Sequence, residues 1–136
     1  MTAIQPELWV EHAADAIAFY RAAFGAEVVY RVGAGDDVVA QLAVDGVCFW
    51  IATAGPDGGR FGAAVLGGAT SRTLLVVDHP DAVVAAALAD GAAVTSPVAD
   101  EHGWRLGRIT DPAGQQWEIG HPLGRWPPST AEGGFR

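Results

Sequence analysis

The sequence predicts an α+β fold: two tandem β-α-β-β-β modules arranged around a central cleft. Three observations predict it. An offset of 66 residues lays the chain on itself, placing Val10 on Val76, Asp15 on Asp81, Gly25 on Gly91, Ala26 on Ala92 and Val28 on Val94 without a gap. Ala43-Val44-Asp45 falls on Ile109-Thr110-Asp111 at the same offset, and a two-residue insertion then puts Trp50 on Glu118. Within each copy the hydrophobic period changes in the same order, from a short apolar run to helical spacing to alternation. Between the copies lies a glycine-rich stretch from Thr53 to Thr70.

The elements follow in order. Leu8–Val10 and Leu74–Val77 read as opening strands. The first helix runs from Ala14 to Phe24 with Ile17, Tyr20 and Phe24 on one face, and Gly25 stops it in a left-handed conformation. The second helix starts near Pro80, which suits a first helical position, turns Val83, Val84, Ala87 and Leu88 inward and stops at Gly91. Strands recur at Ala26–Val32, Val38–Val44 and Val47–Ala52, then at Ala93–Val98, Trp104–Thr110 and Gln115–Gly120. Val44-Asp45-Gly46 and Asp111-Pro112-Ala113-Gly114 are their hairpin turns. The predicted organisation is one domain over 1–128: module one at 4–53, a flexible connector at 54–70 and module two at 71–121. A C-terminal tail over 122–136 carries Trp126 across the surface or a partner, with disorder setting in near Ser129.

Composition limits the function. At 136 residues, half of them hydrophobic, the chain can bury one good core, whereas each half alone buries too little. The net charge of −8 opposes nucleic-acid binding. All eight cations are arginine, so neither a Schiff-base lysine nor a phosphate-loop lysine is available. The single cysteine, Cys48, excludes an internal disulfide and fits a reducing compartment. The N-terminal residues lack the basic flank and apolar run of a signal peptide. No apolar stretch approaches the roughly 20 residues of a membrane span. A cytoplasmic protein with no membrane or nucleic-acid partner is expected.

Two motifs carry a family likeness. Ala16-Ile17-Ala18-Phe19-Tyr20, followed by Phe24-Gly25-Ala26-Glu27, resembles the first helix of the vicinal oxygen chelate superfamily. That group includes glyoxalase I, the bleomycin-resistance proteins, fosfomycin-resistance enzymes and extradiol dioxygenases. Gly107-Arg108-Ile109-Thr110-Asp111-Pro112-Ala113-Gly114-Gln115-Gln116-Trp117-Glu118-Ile119 resembles its final hairpin, most closely in the PhnB-like branch. In metal-dependent members, the resemblance implies one ligand from the first and one from the last strand of each copy. Those positions here are Gln5, Trp50, Ser71 (Arg72 if the register slips by one) and Glu118. Tryptophan cannot ligate, glutamine is a weak neutral ligand, and arginine would repel a cation. No metal and no other cofactor is expected.

Strand alternation then supplies a cavity wall of Gln5, Glu7, Trp9, Cys48, Trp50, Thr73, Gln116 and Glu118, with Arg105 or Arg108 near its rim. Two indoles and a few polar groups suit a flat organic ligand, aromatic or antibiotic-like. The same indoles could instead fill the space. Glu118 is the candidate catalytic residue, as a general base, or else a carboxylate paired to an arginine. His12, His79, His102 and His121 fall at turns and loop edges, and Cys48 reads as a small buried hydrophobe. Asp111 to Gly114 receives no chemistry.

Proteins of the bleomycin-resistance type imply a metal-independent small-molecule binder, a homodimer with clefts shared between subunits. The alternatives are a glyoxalase-like lyase or isomerase, or a dioxygenase-related enzyme, using Glu118 with a metal completed by Glu7 or Gln5, and a ligand-free structural dimer.

Overall fold

A computed structural model describes residues 1–127; the end of the expected tail, Ser129 included, lies outside the described residues. The chain forms β1 (Glu7–Val10), α1 (Ala13–Phe24), β2 (Glu27–Ala34), β3 (Asp37–Val44) and β4 (Val47–Thr53), then α2 (Ala63–Leu66). The second copy gives β5 (Arg72–Val76), α3 (Pro80–Ala89), β6 (Ala93–Glu101), β7 (Trp104–Thr110) and β8 (Gln116–Pro122). Each copy is a four-stranded mixed sheet, ordered β1-β4-β3-β2 and β5-β8-β7-β6, with its opening strand parallel to its last. This is the α+β architecture that the repeat predicts. No helix among the described residues is long and apolar enough to cross a membrane.

Local chemistry sets the boundaries. Gly25 caps α1 at φ 68°, its N–H bonding the Tyr20 carbonyl, a conformation that costs a β-carbon-bearing residue about 1 kcal/mol. Asp45 and Gly46, both at positive φ, close the β3–β4 hairpin, as expected of an Asp-Gly turn. His12 and His79 occupy equivalent N-cap positions, yet neither uses its side chain as a cap. β6 continues through Pro97 to Glu101, beyond the expected end at Val98. It is an edge strand whose pairing shifts between Ser96 and Ala99, and an irregular edge accommodates the missing N–H.

The connector is more ordered than its glycine content predicts. It forms a 3₁₀ turn at Pro56–Gly58, a bridge between Gly55 and Arg60, and α2, whose Ala63 is buried. The Glu11 carboxylate approaches Gly62 so closely that a β-carbon there would overlap it. Here glycine is required by contact as well as by chain flexibility.

Both modules share one core. Val10, Ala40, Leu42 and Ile51 from the first sheet join Ile109, Trp117 and Ile119 from the second, with α1 and α3 packed together among them. Trp117 is the central piece, its ring 4.9 Å from Phe24 and 5.5 Å from both Tyr20 and Phe49. Edge-on and tilted aromatic contacts of this kind add roughly 1 kcal/mol each beyond burial. Leu88, expected to face inward on the second helix, is instead 53% exposed. α3 buries only Pro80, Val84 and Ala87, because the larger side chains of α1 occupy the centre.

Beneath this cluster sits the least expected feature, the carboxylate of Asp111 at 4% exposure. It accepts hydrogen bonds from the Tyr20 hydroxyl on α1, the Trp117 indole at 2.9 Å, and the backbone N–H groups of Ala113 and Gln115 at 2.9 and 3.0 Å. Burial pushes its carboxyl above the ordinary value, and the four donors pull it back only in part. The turn residue thus ties module one to module two.

Candidate functional site

Each sheet turns one face to the common core and its other face away from it. On the first sheet the outer face is set by register: Glu7 pairs with Trp50, Trp9 with Ala52, Gln41 with Trp50 and Tyr30 with Gln41. Residues paired across neighbouring strands project from the same side, so Glu7, Trp9, Tyr30, Gln41 and Trp50 share this face. Cys48, two residues from Trp50, lies on the same side and is half-buried. The Gln5 carbonyl oxygen accepts from the Trp50 indole at 2.7 Å and the Gln41 amide at 3.0 Å. The Trp9 indole donates to Glu7 at 3.0 Å, and Tyr30 meets Trp50 edge-on at 6.0 Å between ring centres.

On the second sheet, Arg72 pairs with Gln116, Leu74 with Glu118 and Arg108 with Glu118. Glu118 Oε2 accepts from Arg108 Nε at 2.9 Å and lies 3.4 Å from Arg72 Nη2. Arg108 reaches on to Glu101 at 2.8 Å. The result is a chain of alternating charge, Arg72–Glu118–Arg108–Glu101, held in place by its own bonds.

The expected wall is therefore divided. Gln5, Glu7, Trp9, Cys48 and Trp50 belong to the first face; Gln116, Glu118 and Arg108 belong to the second. No side-chain hydrogen bond or ion pair among the described residues joins the two groups. The shared core explains this: with both helices lodged between the sheets, the remaining faces look outward.

Two expected wall residues are displaced. Thr73 pairs with Trp117 and shares its side, the opposite face from Glu118. The cause is a one-residue slip. Glu7 is opposite Trp50 but Leu74 is opposite Glu118, so Gln5 corresponds to Arg72, and Val77, not Val76, takes the place of Val10. Val10 is fully buried whereas Val76 is 50% exposed, and Val77 packs against the core. Arg105 is the second correction. It lies on the helix side, gripping Asp81 at the start of α3 at 2.7 and 2.8 Å and Asp100 at 2.9 Å, and holds the Asp81 carboxyl below its ordinary value. Alternation separates it from Arg108 by an odd number of residues.

Three members of these faces escaped the sequence reading: Tyr30, Gln41 and Glu101. Gln41 had a signal, as the one polar residue inside an apolar strand. Tyr30 had none, because a bulge between Val28 and Tyr30 inverts the simple alternation. The positions at which the family resemblance implies metal ligands, Gln5, Trp50, Arg72 and Glu118, do not suit a divalent ion. The Gln5 oxygen already accepts two N–H groups, Trp50 offers only a donor, and Glu118 is shared by two guanidinium groups. Among the described residues, no three histidine, cysteine or acidic side chains converge on a possible metal position.

Comparison with known proteins agrees with the architecture. An uncharacterized protein of Mycobacterium bovis is 35% identical over 127 residues, spanning 89% of this chain and 84% of its own length. The X-ray structure of the Arabidopsis thaliana gene product At5g48480 superposes with a TM-score of 0.67 at 28% identity, covering 88% of this chain and 98% of that one. The genomically encoded fosfomycin resistance protein FosX of Listeria monocytogenes shares the fold at a TM-score of 0.68 and 15% identity, covering 93% and 95%. The family model described as Glyoxalase/Bleomycin resistance protein/Dioxygenase superfamily matches residues 3–119. With β-α-β-β-β modules in tandem and a match over nearly its whole described length, the chain belongs to the glyoxalase/bleomycin resistance protein/dioxygenase superfamily.

Proposed function

We propose that the protein is a metal-independent small-molecule binder that sequesters a flat, aromatic or antibiotic-like ligand on the outer face of its first sheet. The observation that carries this is the fixing of both indoles. Trp50 is tied to Gln5 and Trp9 to Glu7, so both half-buried rings are held on the outward side of the sheet, where an indole can stack on a planar ligand. Preorganised rings lose little freedom when a ligand docks. The fold likeness to FosX fits a small-molecule role, while the donor set described above points away from that superfamily's metal chemistry. Glu118 is engaged by two arginines, so the lyase, isomerase and dioxygenase readings lack their base.

The reading includes a homodimer in which the second sheet of one protomer covers the first sheet of its partner. Val29, Tyr30 and Val32 on β2 are 52–53% exposed, and Leu74 and Val76 on β5 are 44% and 50% exposed. Such apolar strand surfaces ask for a cover, and a twofold pairing of this kind would bring the two separated groups to one cleft.

The test is a fluorescence titration with a panel of planar aromatic compounds, with fosfomycin as a non-aromatic control. Stacking on an indole is worth about 1 kcal/mol beyond buried area, so Trp50→Ala is expected to weaken an aromatic hit about fivefold or more. An aromatic ligand that binds the variant as tightly as the wild type would overturn the assignment.

A further inference from the structure

Beside Trp9, between β1 and the connector, lies a cavity of about 220 Å³. Its walls include Glu7 and Trp9 from β1, Phe61 and Leu66 from the connector, and Ser71 and Gln115 at the edge of module two. Among the described residues its lining holds one charged side chain, that of Glu7, and no arginine. Glu7 uses Oε2 to accept the Trp9 indole N–H, and Oε1 receives no donor among the described residues. Phe61 is 45% exposed at this position, although it stands on a segment that is otherwise ordered. Gln115 fixes the geometry by donating to the Trp9 carbonyl at 2.9 Å.

A carboxylate set beside two aromatic side chains, with no cation among the described lining residues, has a defined chemical preference. Ring faces are negative and attract a positive charge, most strongly one whose alkyl groups tolerate an apolar wall. An ammonium bearing methyl groups satisfies both, whereas an anion meets only repulsion from Glu7. The volume is below the roughly 300–1,000 Å³ of a complete ligand site, so it suits one group of a ligand. Because Glu7 also pairs in register with Trp50, that group would lie next to the aromatic face.

We propose that this cavity receives the alkylated ammonium group of the ligand, with Glu7 as its counter-charge and Trp9 and Phe61 as its aromatic walls. The inference rests on the first-sheet face being the ligand platform and adds the chemical class that the platform selects.

The experiment titrates the full-length protein with benzyltrimethylammonium and with neopentylbenzene, its uncharged counterpart of the same shape. The cation is expected to bind about tenfold more tightly. Glu7→Gln, which keeps an acceptor for Trp9, should erase most of that preference. Phe61→Ala should weaken the cation several-fold. Equal binding of the two probes, or a cation affinity indifferent to Glu7→Gln, overturns the inference. If such equal binding is lost in Trp50→Ala, the aromatic platform stands without its charge selection. If neither probe binds at roughly millimolar concentration, the ammonium site falls, and the platform is then judged on the neutral aromatic panel alone.

Discussion

Replacing Asp111 with alanine is expected to remove about 3–5 kcal/mol of stability, measured by urea unfolding at neutral pH. The variant strands the Tyr20 hydroxyl, the Trp117 indole and two backbone N–H groups in a site where Asp111 is only 4% exposed. Buried donors without partners cost about 1–3 kcal/mol each, partly recovered if water enters. A loss below about 1 kcal/mol would show that the two modules do not depend on this carboxylate. The pH dependence has a definite sign. Burial raises the folded-state pKa of Asp111 above its unfolded value. Between those values the native state keeps a proton that the unfolded chain has released, so stability from this group falls as pH rises. Wild-type stability minus that of Asp111→Asn should therefore decline from acidic toward neutral pH, and a difference that rises with pH would contradict the account.

Placing aspartate at both Leu74 and Val76 is expected to convert a dimer into a 14.1 kDa monomer in sedimentation equilibrium at micromolar concentration. Both residues are about half exposed on β5, so the fold of a single chain should tolerate the change. In the dimer their burial against the partner's β2 face would be exchanged for two desolvated charges. Losing that contact amounts to about 3 kcal/mol or more, over a hundredfold in the dissociation constant. Wild-type protein that sediments only as the 14.1 kDa species would remove the shared cleft from the proposed function.

Most of the fold was legible because the repeat, the helix stop at Gly25 and the hairpin turns are local signals. The register of β5 was not. Thr73, Leu74, Leu75, Val76 and Val77 are all compatible with a core or an outer face, and a one-residue slip reverses every side chain. The gapless match of Val10 with Val76 pointed to the wrong neighbour by one position. Arg105 and Arg108 are equally basic; alternation puts them on opposite faces of β7, and the pairing of Arg105 with Asp81 at the start of α3 shows which of the two turns to the helix side. The divided wall could not be read from one chain's sequence at all, since it depends on α1 and α3 packing in one core. Asp111 was hidden by its context: an Asp-Pro-Ala-Gly turn explains its sequence fully, and nothing local announces that Tyr20, 91 residues away, donates to it.

The central claim is that this member of the superfamily handles its ligand through aromatic side chains and without a divalent ion. Its most direct test is elemental analysis of protein purified without chelator, followed by thermal-shift titration with Zn²⁺, Ni²⁺, Mn²⁺ and Fe²⁺. The donor set of Gln5, Trp50, Arg72 and Glu118 predicts substoichiometric metal after dialysis and no stabilisation that depends on Glu118. One equivalent of a transition metal retained through dialysis, and lost in Glu118→Gln, would contradict it.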